Sequence, residues 1–255
     1  MATALVTGGT SGIGAEFARQ LAARGDDLVL VARNLDRLAE FATELKDQYG
    51  VAVETVAADL GVRDEVLQVA ARLGSTEQPI ELLVNNAGFG IPGPLATDDT
   101  TAQEYGIDVM IKAVLILAGA AGHAMKARGR GQIINVSSTA GFITMGVYSA
   151  IKAWVTTYSE ALAGELAKHG VTVTALCPGY VRTEFHQRAS IRTGSLPGLM
   201  WIDLERLVSD ALTDVAKGKV ISIPSRRYRV GIFAARHFPR AAVRAVSRRL
   251  VSSRH

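Results

Sequence analysis

The sequence predicts an α/β fold: a doubly wound, seven-stranded parallel sheet with helices on both faces, in a single domain. Three observations predict it. Seven short, almost continuously apolar runs recur along the chain with amphipathic stretches of helical period between them, as in a sheet covered on both sides. A glycine-rich turn follows the first run, where a strand hands over to a helix. With 255 residues, 48% of them hydrophobic, the chain can bury one large core, and no linker, internal repeat or low-complexity tract divides its body.

The strands are read at 2–6, 27–31, 51–57, 81–85, 132–136, 171–177 and 220–223, with helical patterns such as 16–24 and 35–49 between them. Right-handed crossovers then wind the sheet in both directions, and ligands gather beyond the carboxyl ends of the strands. The longest apolar run, 113–122, is about half of what a bilayer-spanning helix needs and is closed by Lys112 and His123, so it reads as a buried helix segment.

After the first strand comes Thr7-Gly8-Gly9-Thr10-Ser11-Gly12-Ile13-Gly14. Glycines at 8 and 14 let the backbone take positive φ, let a phosphate approach and let the helix pack on its strand, while the helix N-terminus offers free N–H groups to an anion. The alternative is a structural left-handed turn without a ligand. Ala15 stands where a nucleotide-triphosphate loop needs lysine, which excludes that class.

After the second strand, about 20 residues beyond Gly12, a carboxylate would bind the ribose hydroxyls of NAD, but Ala32-Arg33 stands there. Arg33 offers a fork to a 2′-phosphate, which selects NADP(H), or it pairs with Asp36 or Glu40 on the next helix. After the third strand, Asp59 precedes Leu60 and also suits the cap of a helix starting near Val62. Asn85-Asn86-Ala87-Gly88 ends the fourth strand, and buried asparagines are costly without partners.

Ser137 and Ser138 follow the fifth strand, and Tyr148-Ser149-Ala150-Ile151-Lys152 opens the next helix. Tyrosine and lysine at i and i+4 share a helical face, so the ammonium favours the ionised phenol. That lowers a group that otherwise titrates at about pH 10 toward neutrality, where it is a usable acid or base. A bland helix face is the alternative for such a pair taken alone.

The order of these stretches, with Pro178-Gly179-Tyr180-Val181-Arg182-Thr183 after the sixth strand, closely resembles the short-chain dehydrogenase/reductase family over roughly residues 2–225. The resemblance implies a Rossmann-type catalytic domain at 1–225; beyond it, 226–255, the least family-like part, reads as a basic C-terminal extension for which a helix is one option. It implies that Tyr148 exchanges a proton with a carbonyl or secondary alcohol oxygen, that Ser138 hydrogen-bonds the same oxygen, and that Lys152 lowers the tyrosine pKa and holds ribose hydroxyls. A nicotinamide cofactor, NADP(H) before NAD(H), would lie against Gly8, Thr10, Ser11, Gly12, Ile13, Gly14, Arg33, Asp59, Leu60, Asn86, Ala87, Gly88, Tyr148, Lys152, Pro178, Gly179, Val181 and Thr183. No metal site is expected.

Two departures from the family pattern stand out. Ser138 and Tyr148 lie ten positions apart, where relatives have a few more, so the loop either widens the pocket or pulls the serine away, with Ser137 and Thr139 as substitutes. Met110 occupies a helix position where many relatives carry an asparagine supporting a water chain to the lysine, and a thioether accepts hydrogen bonds poorly. Asp108, two residues away, is expected to face another side of the helix. An alternative to the active enzyme is therefore a cofactor-binding sensor or scaffold with weak catalysis.

Substrate identity is expected to reside in 89–95, in the 139–147 loop and in 184–201, where Phe185, Ile191, Leu196, Leu199, Met200 and Trp201 offer a lid over a lipophilic substrate or ordinary packing. The helices around 113–125 and 148–166 are those through which relatives form homodimers or homotetramers.

From Arg226 onward there are nine arginines and no acidic residue, so the remaining 19 basic residues face all 24 acidic ones in the body. With Pro239 as a helix start, Val243, Val246 and Leu250 fall on one side and Arg240, Arg244 and Arg248 on another. Such a segment either lies peripherally on an anionic membrane or covers an edge of the protein. No nucleic-acid module accompanies the arginines. The start lacks a secretory signal and the single cysteine, Cys177, reads as a small buried hydrophobe, which together point to the cytoplasm.

Overall fold

A computed structural model describes residues 2–91, 93–183 and 198–252. The chain alternates strands β1 (Thr3–Thr7), β2 (Asp27–Ala32), β3 (Val53–Ala57), β4 (Leu82–Asn85), β5 (Gly131–Val136) and β6 (Val171–Leu176) with helices α1 (Gly12–Ala23), α2 (Leu35–Tyr49), α3 (Arg63–Leu73), α4 (Thr101–Ile107), α5 (Ala113–Arg128) and α6 (Gly146–Leu166). Short strands β7 (Tyr180–Val181), β8 (Trp201–Ile202) and β9 (Ile221–Ser222) follow, with helices α7 (Leu204–Ala216), α8 (Arg226–His237) and α9 (Arg240–Ser252).

Seven strands form one parallel sheet in the order β3-β2-β1-β4-β5-β6-β9. The order reverses between β1 and β4, which puts a crevice at their carboxyl ends, between the 7–14 turn and Asn86-Ala87-Gly88.

Successive side chains of a strand point to opposite faces, and here both faces are covered. Val6, Leu28, Leu30, Val84 and Ile134 pack with Phe17, Leu38 and Leu207 from α1, α2 and α7. Leu5, Val29, Leu83 and Ile133 pack with Val69, Leu117 and Leu166 from α3, α5 and α6. A strand buried on both sides has no polar alternation, hence the continuous apolar runs. Full burial of one such leucine or phenylalanine is worth about 1.5–3 kcal/mol.

All seven predicted strands are present, with boundaries shifted by one or two residues. Two features were not predicted. The β7–β8 ribbon joins the segment after Pro178 to Trp201, with the Tyr180 and Trp201 rings edge-on at 6.1 Å. Residues Asp108–Lys112 form a π-turn between α4 and α5, within one helical stretch running from Thr101 to Arg128. That stretch is long and apolar enough to cross a membrane, but Ala113, Leu117, Ala121 and Met125 are buried along the sheet.

Candidate active site

The turn after β1 is built as its glycines imply. Gly8 and Gly12 have φ of +63° and +53°, a left-handed conformation that glycine adopts without penalty. A Cβ on Gly14 would lie 2.2 Å from the Gly8 carbonyl oxygen and 2.4 Å from Asn86 Nδ2. Asn86 fixes the turn from the neighbouring strand: its side-chain amide donates to the carbonyls of Thr7 (3.0 Å) and Gly8 (3.2 Å). The Thr7 hydroxyl accepts from the N–H groups of Asn86 and Ala87. Helix α1 has no acidic residue in its first turn, and the Ser11 side chain does not cap it. Its leading N–H groups are thus left for an anion.

Asn85 and Asn135 balance each other's cost. Asn85 Nδ2 donates to Asn135 Oδ1 at 2.9 Å, and Asn135 Nδ2 donates to the Ser159 hydroxyl at 3.0 Å. This chain ties β4, β5 and α6 together beneath the crevice and satisfies polar groups that are almost wholly buried.

Beyond the carboxyl ends of β2 and β3, Arg33 Nη1 donates to the Tyr105 hydroxyl at 3.0 Å, and that hydroxyl donates to Asp59 at 2.8 Å. Among the described residues Arg33 forms no ion pair with Asp36 or Glu40. Asp59 does not cap α3 directly: its carboxylate accepts from the Gly61 N–H at 2.8 Å, and Val62 is the residue before the helix. Tyr105 stacks on Phe89 with ring centroids 5.4 Å apart, and its ring sits where a Gly61 Cβ would be. Nothing in the sequence marked Tyr105. Only the fold brings α4 across to the ends of β2 and β3.

The chemistry-bearing side chains converge at the start of α6. Ser138 and Tyr148 are hydrogen-bonded despite the short loop between them. The loop turns tightly, because Ser138 Oγ accepts from the Ala140 N–H at 3.1 Å and Gly141 lies against the Lys152 backbone. The two substitutes for Ser138 have other tasks. Ser137 is buried and donates to the Lys152 carbonyl at 2.6 Å, while Thr139 bonds the Pro178 carbonyl through both its N–H and its hydroxyl.

Lys152 is 4% exposed, donates from Nζ to the Val136 carbonyl at 2.8 Å and holds that nitrogen 5.6 Å from the Tyr148 ring centre. Burial lowers its pKa to about 8, with a small opposing pull from Cys177. The expected depression of the tyrosine pKa is not found. Burial pushes the Tyr148 phenol above its ordinary value, and the hydrogen bond with Ser138 draws it back only in part. Desolvation of the phenolate outweighs its attractive partners in the chain by itself.

Met110 is fully buried in the π-turn. A Cβ on Gly88 would lie 3.1 Å from Met110 Sδ and 3.7 Å from Lys152 Nζ, so thioether and amine flank the same glycine. Asp108 is bonded to Lys112 at 2.6 Å and is not turned to this site. A π-turn in this place is a frequent mark of a functional position.

The Pro178–Thr183 segment closes the crevice from above. A Cβ on Gly12 would lie 3.3 Å from Thr183, and Gly179 carries the Tyr228 ring where its own side chain would be. Tyr228 accepts from the Tyr180 N–H (3.1 Å) and donates to the Met200 carbonyl (2.8 Å), which fastens β7 to helix α8. The lid expectation for Phe185, Ile191 and Leu196 lies outside the described residues. Leu199 and Met200 are exposed. Among the described residues no cluster of His, Cys, Asp or Glu suits a metal ion.

The residues fit a dinucleotide. The glycines clear a cradle that any Cβ would fill, the α1 N-terminus is free for the pyrophosphate, and Arg33 stands at the adenosine end.

Known proteins agree with this construction. The family model described as short chain dehydrogenase matches residues 2–193. An uncharacterized oxidoreductase of Staphylococcus saprophyticus is 39% identical over 183 residues, covering 71% of this chain and 78% of that protein. A very-long-chain 3-oxoacyl-CoA reductase of Anas platyrhynchos is 35% identical over 195 residues, covering 72% of this chain and 61% of that longer protein. A solved short-chain dehydrogenase from Sphingobium yanoikuyae in complex with NADPH superposes with a TM-score of 0.84 at 34% identity, over 92% of this chain and 94% of that one. The bulky-bulky ketone specific alcohol dehydrogenase from Comamonas testosteroni gives a TM-score of 0.80 at 31% identity, over 92% of each chain. The chain belongs to the short-chain dehydrogenase/reductase family, NAD(P)-dependent oxidoreductases that act on alcohols and ketones.

Proposed function

We propose that this protein is an NADP(H)-dependent reductase of lipophilic carbonyl compounds, working through Tyr148, Ser138 and Lys152. The observation that carries the reading is the meeting of these three side chains at the mouth of α6: a hydrogen-bonded Ser138–Tyr148 pair with a buried ammonium beside the phenol ring.

Tyr148 donates its proton to a carbonyl oxygen, or takes one from a secondary alcohol, and Ser138 orients that oxygen. Burial raises the Tyr148 phenol above its ordinary value in the cofactor-free chain, so the hydrogen bond from Ser138 and the cation of Lys152 are the features that would ease its proton exchange. The bound nicotinamide cofactor supplies or accepts the hydride. Lys152 stands where it would hold a nicotinamide ribose, Pro178, Gly179, Val181 and Thr183 border the nicotinamide end, and Gly8, Thr10, Ser11, Gly12, Ile13 and Gly14 hold the pyrophosphate. Asp59 and Leu60 would line the adenosine side, and Asn86, Ala87 and Gly88 would border the cofactor between the glycine turn and Lys152. Arg33 favours NADP(H) by offering a cation to the 2′-phosphate. The NADPH complex and the bulky-ketone specificity named for the two solved relatives support this cofactor and this substrate class. We further take the protein to be cytoplasmic and to pair through α5 and α6, where Leu115 is 47% exposed and Trp154 stacks on Tyr158.

The test is titration with NADPH and NADH, followed by turnover of a panel of lipophilic ketones and aldehydes. Tyr148→Phe should abolish turnover and leave NADPH binding unchanged; full activity of that variant refutes the assignment. Met110 favours a second reading, a cofactor-binding sensor with weak catalysis, since it puts a thioether beside Lys152 where a polar relay would stand. Tight NADPH binding without turnover across the panel would select it.

A further inference from the structure

We propose that helices α8 and α9 form a docking surface for an anionic lipid bilayer beside the mouth of the substrate loop. The docking stands on the surface itself; only its use, delivery of lipophilic substrate, rests on the function proposed above.

Three large apolar side chains within nine residues point outward: Val230 is 72% exposed, Phe233 64% and Phe238 61%. Single exposed hydrophobics are ordinary, but two phenylalanines and a valine on one short segment form a patch. They are not the packing face of their helices, which is separately filled. Ile232 and Val243 are each 6% exposed, and Tyr228 is bonded to Tyr180 and Met200. Arg226, Val230, Phe233 and His237 recur at the spacing of one helical stripe, all exposed, so cation and apolar group share the outer face.

Arg229, Arg240 and Arg244 are also exposed, and no acidic residue occurs from Arg226 to the end. Arg236 pairs with Glu160 at 3.4 Å and Arg227 donates to the Leu199 carbonyl, whereas no ion pair holds Arg226, Arg229, Arg240 or Arg244 among the described residues. Unpaired guanidinium groups around outward aromatics match the headgroup region of an anionic bilayer: phosphates meet the arginines and the rings sink to the acyl boundary. A second copy of the chain fits poorly, because a two-fold contact would set this cationic patch against itself. A nucleic acid would meet the arginines and leave both phenylalanines in water.

The same helices touch the catalytic loop. The Thr144 N–H donates to the buried Ser247 hydroxyl at 3.1 Å, and the Arg236 guanidinium lies 5.7 Å from the centre of the Phe142 ring. The segment between Ser138 and Tyr148 is thus walled by the helices that carry the patch. Docking would bring the 139–147 loop, which joins Ser138 to Tyr148, close to the lipid surface, where lipophilic carbonyl compounds concentrate.

The full chain is mixed with vesicles of phosphatidylcholine alone or with added phosphatidylglycerol, and the pelleted fraction is measured over a salt series. Binding should require phosphatidylglycerol and weaken with salt. At about fivefold per arginine near an anionic surface, Arg226→Gln/Arg229→Gln/Arg240→Gln should lower the partition coefficient roughly 100-fold. Phe233→Ser/Phe238→Ser should lower it by about tenfold or more. NADPH binding, read in parallel, should stay unchanged and certifies that each variant is folded. Equal pelleting on both vesicle types, or wild-type partition in either variant, overturns the proposal. So does a dimer in solution that the phenylalanine variant dissociates without any vesicle binding.

Discussion

Arg33 is bonded to the Tyr105 hydroxyl at 3.0 Å, which fastens the end of β2 to helix α4. The hydroxyl passes its own proton toward Asp59, so the arginine is held by a chain anchored on a carboxylate. Removing the hydroxyl frees Arg33 without touching its charge. Tyr105→Phe should lower the ratio of NADPH to NADH affinity by about 2- to 10-fold, the net worth of one ordinary hydrogen bond. Arg33→Ala should remove a larger share, about 10- to 100-fold. Cofactor titration by fluorescence reads both; a Tyr105→Phe protein with the wild-type ratio would mean that Arg33 needs no such support.

Lys152 gives the free chain an unusual pH dependence. Its folded pKa is about 8 against the ordinary 10.5, so between those values the unfolded chain binds more protons and stability rises with pH. Cys177, pushed up to about 12 from 9.0 by burial, acts in the opposite direction as the unfolded thiol ionises toward and beyond pH 9. Between pH 8 and 9 Lys152 should add about 1 kcal/mol to the unfolding free energy, of which the thiol takes back a few tenths. Urea denaturation of the cofactor-free protein at both pH values measures it. Lys152→Met should erase the increment.

Met110→Asn would place an amide between Gly88 and the Lys152 amine. If proton supply to Lys152 limits turnover, kcat should rise severalfold while KM stays constant. The fully buried site exacts a stability loss of about 1–3 kcal/mol if the amide is incompletely bonded. A kcat unchanged alongside that loss would show that the proton travels elsewhere.

Gly14→Ala tests the cradle. The added methyl carbon would stand 2.2 Å from the Gly8 carbonyl oxygen, and neither backbone segment can yield cheaply. NADPH affinity should fall by more than about 100-fold, with a lower melting temperature. Gly25→Ala is the comparison, since its Cβ meets nothing within 4 Å but its φ of +83° strains the backbone alone.

The sheet was legible because a strand buried on both faces must be apolar at every position, and Leu28-Val29-Leu30-Val31 leaves no other reading. Asn85 and Asn86 were legible for the opposite reason, as polar groups too costly to bury without partners. Tyr105 was not legible: its partners lie 46 and 72 positions away, and no local period announces a contact made by the fold. The π-turn at Asp108–Lys112 escaped because it adds one residue to a turn without changing the apolar pattern. The direction of the Tyr148 pKa was misjudged because spacing shows the lysine but not the burial that opposes it.

Cys177, the sole cysteine, is 0% exposed and its thiol is held far from ionisation. Thiolate is the form that reacts with maleimides and iodoacetamides, so the natural chain is silent toward them. A cysteine introduced on the outer stripe of α8 would then be the single labelling point. An environment-sensitive dye there would report, in real time and without cutting or fusing the protein, what that face meets.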